Sequence, residues 1–204
     1  MDTLNLKTIR AFSSIVLIHE ADEIPENTMA ATATLENLEA RWAKTDPSPQ
    51  DNGTVELIVR RPAPDQREPL QRATFSAAAG LLGDDWLRRH GDEIEAQITL
   101  MNARVAQLLA GDKARWAEAG DQLFVDLDIS QDNLPPGTRI QLGEVVMQIS
   151  TLPHTGCTKF ARRFGGHARK WTATEEGARQ RRRGVYAHVV QDGEIKVGDP
   201  ITKL

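Results

Sequence analysis

The sequence predicts a mainly β protein with helical insertions, an α+β barrel or sandwich. Three observations carry this. Strand-like runs of five or six residues recur, among them Thr54–Val59, Thr138–Leu142, Val145–Ile149 and Val185–Val190. Turn formers stand between them, notably Leu134-Pro135-Pro136-Gly137, Gly143-Glu144 and Asp192-Gly193. The helical stretches are few and short, as in barrels and sandwiches that carry helical insertions.

The chain has 204 residues, 40% of them hydrophobic and 26% charged, enough for one domain with a small appendage. The expected division is a helical appendage and linker over 1–52 and a β-barrel domain over 53–204. No apolar run approaches the roughly 18 to 20 residues that span a bilayer. Ile15–Ile18 is too short, and the N-terminus lacks the pattern of a secretory signal. A single cysteine excludes an intrachain disulfide and an all-cysteine metal cage. The expectation is a cytoplasmic protein with no membrane association.

Taken in order, Thr8–Ile18 reads as a strand or short helix. Asn27–Lys44 reads as a helix, with Leu35, Leu38 and Trp42 at helical spacing and Asn27 or Thr28 as cap. Asp46–Gly53 stops it. Thr54–Val59 follows as a strand. Arg60–Glu68, with Pro62 and Pro64, reads as a loop or edge, and Phe75–Trp86 as a small-residue segment leading into a turn. Gln97–Met101 is a short strand, and Asn102 caps a helix over Ala103–Ala110 that Gly111 closes. Lys113–Glu118 adds a turn. Gln122–Ile129 alternates as a half-buried strand. Thr138–Leu142 and Val145–Ile149 form a hairpin about Gly143-Glu144. Lys159–Arg182 reads as helical pieces broken at Gly165-Gly166 and at Gly177. Val185–Val190 and Ile195–Val197 close the pattern as strand, turn and strand, ending at Gly198-Asp199-Pro200.

The stretch from Leu152 to Phe160 holds the lone cysteine, Cys157, between a strand and a basic helix. A thiol at a helix start, near Lys159, Arg162, Arg163 and His154, has a lowered pKa, and the thiolate is the form that attacks electrophiles or binds a soft metal. The alternative is an inert core cysteine. The polar residues His154 and Thr155 stand where a core position should be apolar. Net charge is −4, yet 159–183 holds nine basic and two acidic residues, against 16 and 27 in the rest. Arginine forks in this segment match phosphate oxygens; the plain alternative is a solvated helix face. Nucleic acid is not an expected partner, because Phe160, Phe164 and Trp171 are spaced as a core stripe. The histidines are scattered without zinc-site spacing, and no phosphate loop, Gly-x-Ser-x-Gly or dinucleotide fingerprint is present. Asp126-x-Asp128 reads as an exposed face.

Four places, in order, resemble the MOSC domain family, named for the C-terminal domain of molybdenum-cofactor sulfurase. They are Gly80-Leu81-Leu82-Gly83-Asp84; Gln97–Met101; Gly120-Asp121-Gln122-Leu123 with Pro136–Thr138 and Val145–Ile149; and Gly156-Cys157-x-Lys159-Phe160 with Arg183–Tyr186 to Gly198-Asp199. The resemblance covers about 53–202. It implies a MOSC-like β-barrel and a role around the molybdenum cofactor (molybdopterin), with Cys157 as a thiolate ligand to molybdenum, sensible for a soft ligand. It also implies a molybdenum-dependent oxidoreductase acting on N-hydroxylated or related small substrates. His154 and Thr155 stand beside Cys157 as catalytic candidates that donate a proton. Lys159, Arg162, Arg163 and Arg183 suit the pterin phosphate. The pyridoxal-phosphate domain of the sulfurases has no room in this chain. With no iron–sulfur or flavin motif, electrons would come from a separate donor protein. The sequence departs from relatives at Glu95-Ala96-Gln97, where several carry an arginine before the glutamine, and at His154-Thr155. Two other readings stay open: a persulfide carrier using Cys157, and a non-catalytic module that binds an anion or a partner through the basic segment.

Overall fold

The computed structural model describes residues 34–91 and 93–204. The reading of Thr8–Ile18, and the first part of the helix expected from Asn27, lie outside them. The first helix among the described residues, α1 (Leu35–Trp42), starts after Thr34, whose backbone is extended and whose side-chain hydroxyl accepts from the Asn37 N–H. Thr34 caps this helix, while Asn27 and Thr28, the caps expected from the sequence, lie outside the described residues.

Seven strands close into a barrel. Around it run β1 (Gly53–Arg60), β6 (Leu123–Asp126), β5 (Ile98–Asn102), β9 (Val185–Gln191), β8 (Val145–Ile149), β7 (Arg139–Leu142) and β11 (Pro200–Lys203), and β11 returns to β1 through Gly53–Ile201 and Thr54–Pro200. Only β5 and β6 run parallel; α3 (Ala103–Ala110) connects them. The strand β2 (Glu68–Leu70) extends β1. A separate three-stranded sheet holds β3 (Arg72–Ser76), β4 (Gly80–Leu81) and β10 (Gly193–Lys196). The fold class expected from the sequence, mainly β with helical insertions, is the one observed.

Four strands were not read from the sequence: β2, β3, β4 and β11. β2 is a three-residue edge after a loop with two prolines, β3 alternates with Ala73 and Phe75 buried but is only five residues long, and β4 is two residues within a small-residue stretch. β11 begins at Pro200, read as an end; proline is accepted at a strand's first residue. β10 pairs with β3 rather than with β9. The hairpin of β7 and β8 is as expected, with Leu142 opposite Val145 and Gly143 at φ +55.

Alternation along the strands sorts residues into two cores. Ile58, Leu100, Leu123, Val125, Met147 and Ala187 fill the barrel. Val59, Met101 and Phe124 face outward, under a helical layer that supplies Val105, Leu108, Trp116, Phe160, Phe164 and Trp171. Strands buried on both faces explain the near-continuous apolar runs. Each fully buried large side chain contributes about 1.5–3 kcal/mol relative to exposure. The layer contains α3, a 3-10 helix (Lys113–Ala119), α4 (Thr158–Phe164), α5 (Gly166–Thr172) and α6 (Glu175–Arg179). Gly165 separates α4 from α5 as expected, but the next break falls at Ala173-Thr174. Gly177 lies inside α6, where a Cβ would collide with the Trp171 and Thr172 carbonyls.

Arg182 ties α1 to this layer. Its buried guanidinium meets Glu39 at 2.6 and 2.9 Å and lies 4.4 Å from the centre of the Trp171 ring, while Trp171 Nε1 also donates to Glu39. Arg179 is exposed and pairs with Glu176 and Asp132. The arginine run is thus split between structural and site roles. Asp126, expected on an exposed face, is paired with Arg104 at 2.8 Å.

Candidate functional site

Ile149 ends β8, and the loop 150–156 carries the chain over the outside of the barrel to α4. Glu95 holds the start of this loop, accepting from Ser150 Oγ at 2.6 Å and Thr151 N at 3.2 Å. Cys157 is the last residue before α4, with extended backbone, and its side chain is exposed. Partial burial pushes its thiol up. The backbone N–H groups of Phe160 and Lys159 and the charge of Arg183 outweigh that, so the pKa lies below the ordinary 9.0.

The cysteine stands at the edge of a cleft of about 520 Å³. Its floor is an outward-facing cross-strand pair, Thr99 of β5 opposite Tyr186 of β9. Gln122 fixes Thr99, accepting from its N–H at 2.8 Å and its hydroxyl at 2.6 Å. The His154 ring packs on Tyr186, centroids 4.4 Å apart. Behind them Arg183 lies across the Asp121 carboxylate and 4.8 Å from the Phe160 ring. Burial pushes the Asp121 carboxyl up, against the pull of Arg183. Burial, then the charges of Arg183 and Arg61, hold the His154 imidazole well below 6.5. It is therefore neutral near pH 7 and adds no positive charge beside the thiol.

The rim is basic. Arg61 is engaged by Asp84 at 2.8 and 2.9 Å and donates to the Gly120 carbonyl. Lys159 and Arg163 share Asp65, at 3.2 and 2.9 Å. Arg67, on the loop between β1 and β2, has no acidic partner within ion-pair distance among the described residues. Its Nε is buried without a hydrogen bond. Burial first, then the neighbouring charges of Arg163 and Arg61, pull its pKa down against the opposing pull of Asp65 and Asp84. Among the described residues no group of three or more His, Cys, Asp or Glu side chains could hold a metal. Cys157 could then be only one ligand to a metal already held by another group.

Of the residues singled out from the sequence, Cys157, His154, Lys159, Arg163 and Arg183 meet in this cleft. Arg162 does not: it is exposed on α4 and lies outside the lining. Thr155 lines a second, smaller cavity on the other side of the loop. Arg61, Arg67, Asp121 and Tyr186 were missed. Tyr186 is the only tyrosine in the chain, and Arg61 and Arg67 flank two prolines in a loop, which are signals that could have singled them out.

A family model described as the MOSC domain matches residues 87–202, more than half of the chain. The chain belongs to the MOSC domain family. Solved structures share the barrel. The YiiM structure from Geobacillus stearothermophilus is 16% identical with a TM-score of 0.54, covering 74% of this chain and 75% of that one. YuaD from Bacillus subtilis is 14% identical with a TM-score of 0.51, covering 74% and 94%. YiiM from Escherichia coli is 16% identical with a TM-score of 0.51, covering 74% and 69%. At these identities the likeness is one of fold. No curated protein matches the chain. The MOSC match starts at Leu87, whereas barrel closure uses β1, so part of the wall lies before the matched segment. No helix among the described residues is long and apolar enough to cross a membrane.

Proposed function

We propose that this MOSC protein binds the molybdenum cofactor in the 520 Å³ cleft, with Cys157 as the protein's thiolate ligand to molybdenum, and reduces N-hydroxylated or related small substrates. The observation that carries this is an exposed thiol of lowered pKa at the edge of a cleft whose rim holds Arg67, a cation that makes no ion pair among the described residues and whose Nε is buried without a hydrogen bond. The orphaned Nε of Arg67 fits an incoming phosphate, because a buried guanidinium nitrogen without an acceptor costs energy until one arrives. Arg67, Lys159 and Arg163 would hold the phosphate end, and Cys157 the metal end. The cofactor, when bound, supplies a metal that passes electron pairs to the substrate.

The remaining work falls to the chain's own side chains. Reduction of an N–OH group breaks the N–O bond, consumes two electrons and two protons, and releases water. The electrons come from a separate donor protein. His154, neutral and stacked on Tyr186, would act as a relay that takes a proton from solvent and passes it to the leaving oxygen, the second proton coming from water. Arg183, held by Asp121, keeps positive charge next to the thiolate. Thr155 faces away, so its role as a donor is not part of this reading.

The test is the molybdenum content of wild type and Cys157→Ala purified from cells that make the cofactor. Metal in the wild type and its loss in the variant are expected. A metal-free wild type overturns the reading; if its intact mass then shows one reducible extra sulfur atom on Cys157, the persulfide-carrier function replaces it.

A further inference from the structure

The second cavity, about 280 Å³, lies behind the cysteine loop and is more enclosed than the cleft. Its lining contains Arg181, Arg183 and the hydroxyl of Thr155 and no Asp or Glu, while the Ser150 hydroxyl and Thr151 N–H are turned to Glu95 behind the wall and the Thr172 hydroxyl donates to the Arg169 carbonyl. The two arginines differ. Arg183 is neutralised by Asp121 on its far side. Arg181 has no carboxylate within ion-pair distance among the described residues. Its Nη1 donates to the carbonyls of Leu134 at 2.6 Å and Ile129 at 3.2 Å, which orient the guanidinium but leave its charge uncompensated. Burial pulls its pKa down and no carboxylate opposes this. The backbone is held at φ +49 there, a left-handed conformation that disfavours a non-glycine residue. Arg183, a lining residue only 7% exposed, also has its Nε buried without a hydrogen bond. A cationic fork that no carboxylate neutralises, with the Thr155 hydroxyl beside it, suits a tetrahedral oxyanion. The volume is that of roughly nine waters at about 30 Å³ each, enough for such an ion and part of its shell.

We propose that this cavity binds a small tetrahedral oxyanion of the phosphate or sulfate class, with Arg181 as its principal ligand and the hydroxyl of Thr155 as a further donor. The site is distinct from the cleft and does not depend on the cleft holding a cofactor. The two share a wall, since His154 and Arg183 line both. The anion reaches the protein either free or as a phosphate ester, and the cavity chemistry is the same for both.

The experiment is calorimetric titration of the full chain, without added cofactor, with inorganic phosphate, sulfate and glycerol phosphate at constant ionic strength, against chloride. The variants are Arg181→Lys, Ala178→Glu and Arg67→Gln. Ala178 is exposed on α6 at the cavity wall, so Ala178→Glu adds a carboxylate without disturbing the core. Saturable phosphate or sulfate binding that weakens at least tenfold in Ala178→Glu and survives Arg67→Gln is the expected result. Tighter binding of glycerol phosphate, still lost in Ala178→Glu, identifies an ester as the source. Two results overturn the proposal: no saturable binding of any probe by the wild type, or binding abolished by Arg67→Gln and untouched by Ala178→Glu. Should Arg181→Lys fail to fold, the surface variant decides alone.

Discussion

Arg183 Nη1 lies 2.8 Å from Asp121 Oδ2 and 3.1 Å from Oδ1, with both side chains almost wholly buried. One partner therefore cannot be removed without leaving the other charge stranded. Asp121→Ala should cost about 3–5 kcal/mol in denaturant unfolding. The double replacement Asp121→Leu with Arg183→Met should lose less than Asp121→Ala alone, since apolar residues of similar size often substitute for a buried pair. Equal losses in the two proteins would show that the pair is not the source of the cost.

The charge of the same guanidinium acts on Cys157. Alkylation of the single thiol, followed against pH in protein free of cofactor, should have its midpoint below the ordinary 9.0. Arg183→Gln should move that midpoint up. Arg162→Gln should leave it in place, because Arg162 is exposed away from the cleft. A shift with Arg162 but not Arg183 would assign the thiol's charge environment to the surface of α4.

Glu95 anchors the loop that bears the site. Its pKa is held below the ordinary 4.5 by the Ser150 hydroxyl first and the Thr151 N–H next, against its own burial. A carboxyl with a depressed folded pKa adds stability that is fully present above 4.5 and is lost as pH falls through the folded value. Glu95→Gln should remove this dependence, so the thermal midpoints of variant and wild type should differ near neutrality and converge in acid. Parallel curves over the whole range would show that the carboxylate does not hold the loop.

Gly184 adopts φ +108, and a Cβ there would collide with the Leu100 carbonyl and stand 3.2 Å from His154 Nδ1. Gly184→Ala should destabilise the fold by on the order of 1–3 kcal/mol from backbone strain. It should also displace the imidazole from Tyr186, changing the fluorescence of the chain's one tyrosine and the alkylation rate of Cys157. A stable variant with unchanged reactivity would mean that glycine is not needed beneath His154.

The barrel was readable because its strands alternate and its best hairpin carries glycine at the turn. The cysteine loop was readable because polar residues interrupted an apolar pattern next to a lone thiol. Other parts had no such local mark. β11 hides behind Pro200, and β3 and β4 belong to a small sheet whose partner strand, β10, lies more than a hundred residues away. The basic segment looked uniform, yet burial separates its arginines. Arg182 pairs with Glu39, Arg183 with Asp121 and Arg179 with exposed acids, while Arg162 faces outward. Arg67 stood outside the segment, and only the path of the loop brings it to the rim.

The closure of the barrel through Gly53–Ile201 bears on how this protein matures. The wall stays open along one seam until residues 200–203 are in hand, about 150 positions after β1 was made. Such long-range pairing is slow, because the ends must meet before any contact rewards them. On the ribosome, β1 would wait for β11 and β5 for β9, each with an edge unpaired, a risk that falls on chaperones. Any group that docks against the outer wall, beside Thr99 and Tyr186, would then be loaded after synthesis rather than during it. Supply of that group and completion of the chain would be successive events.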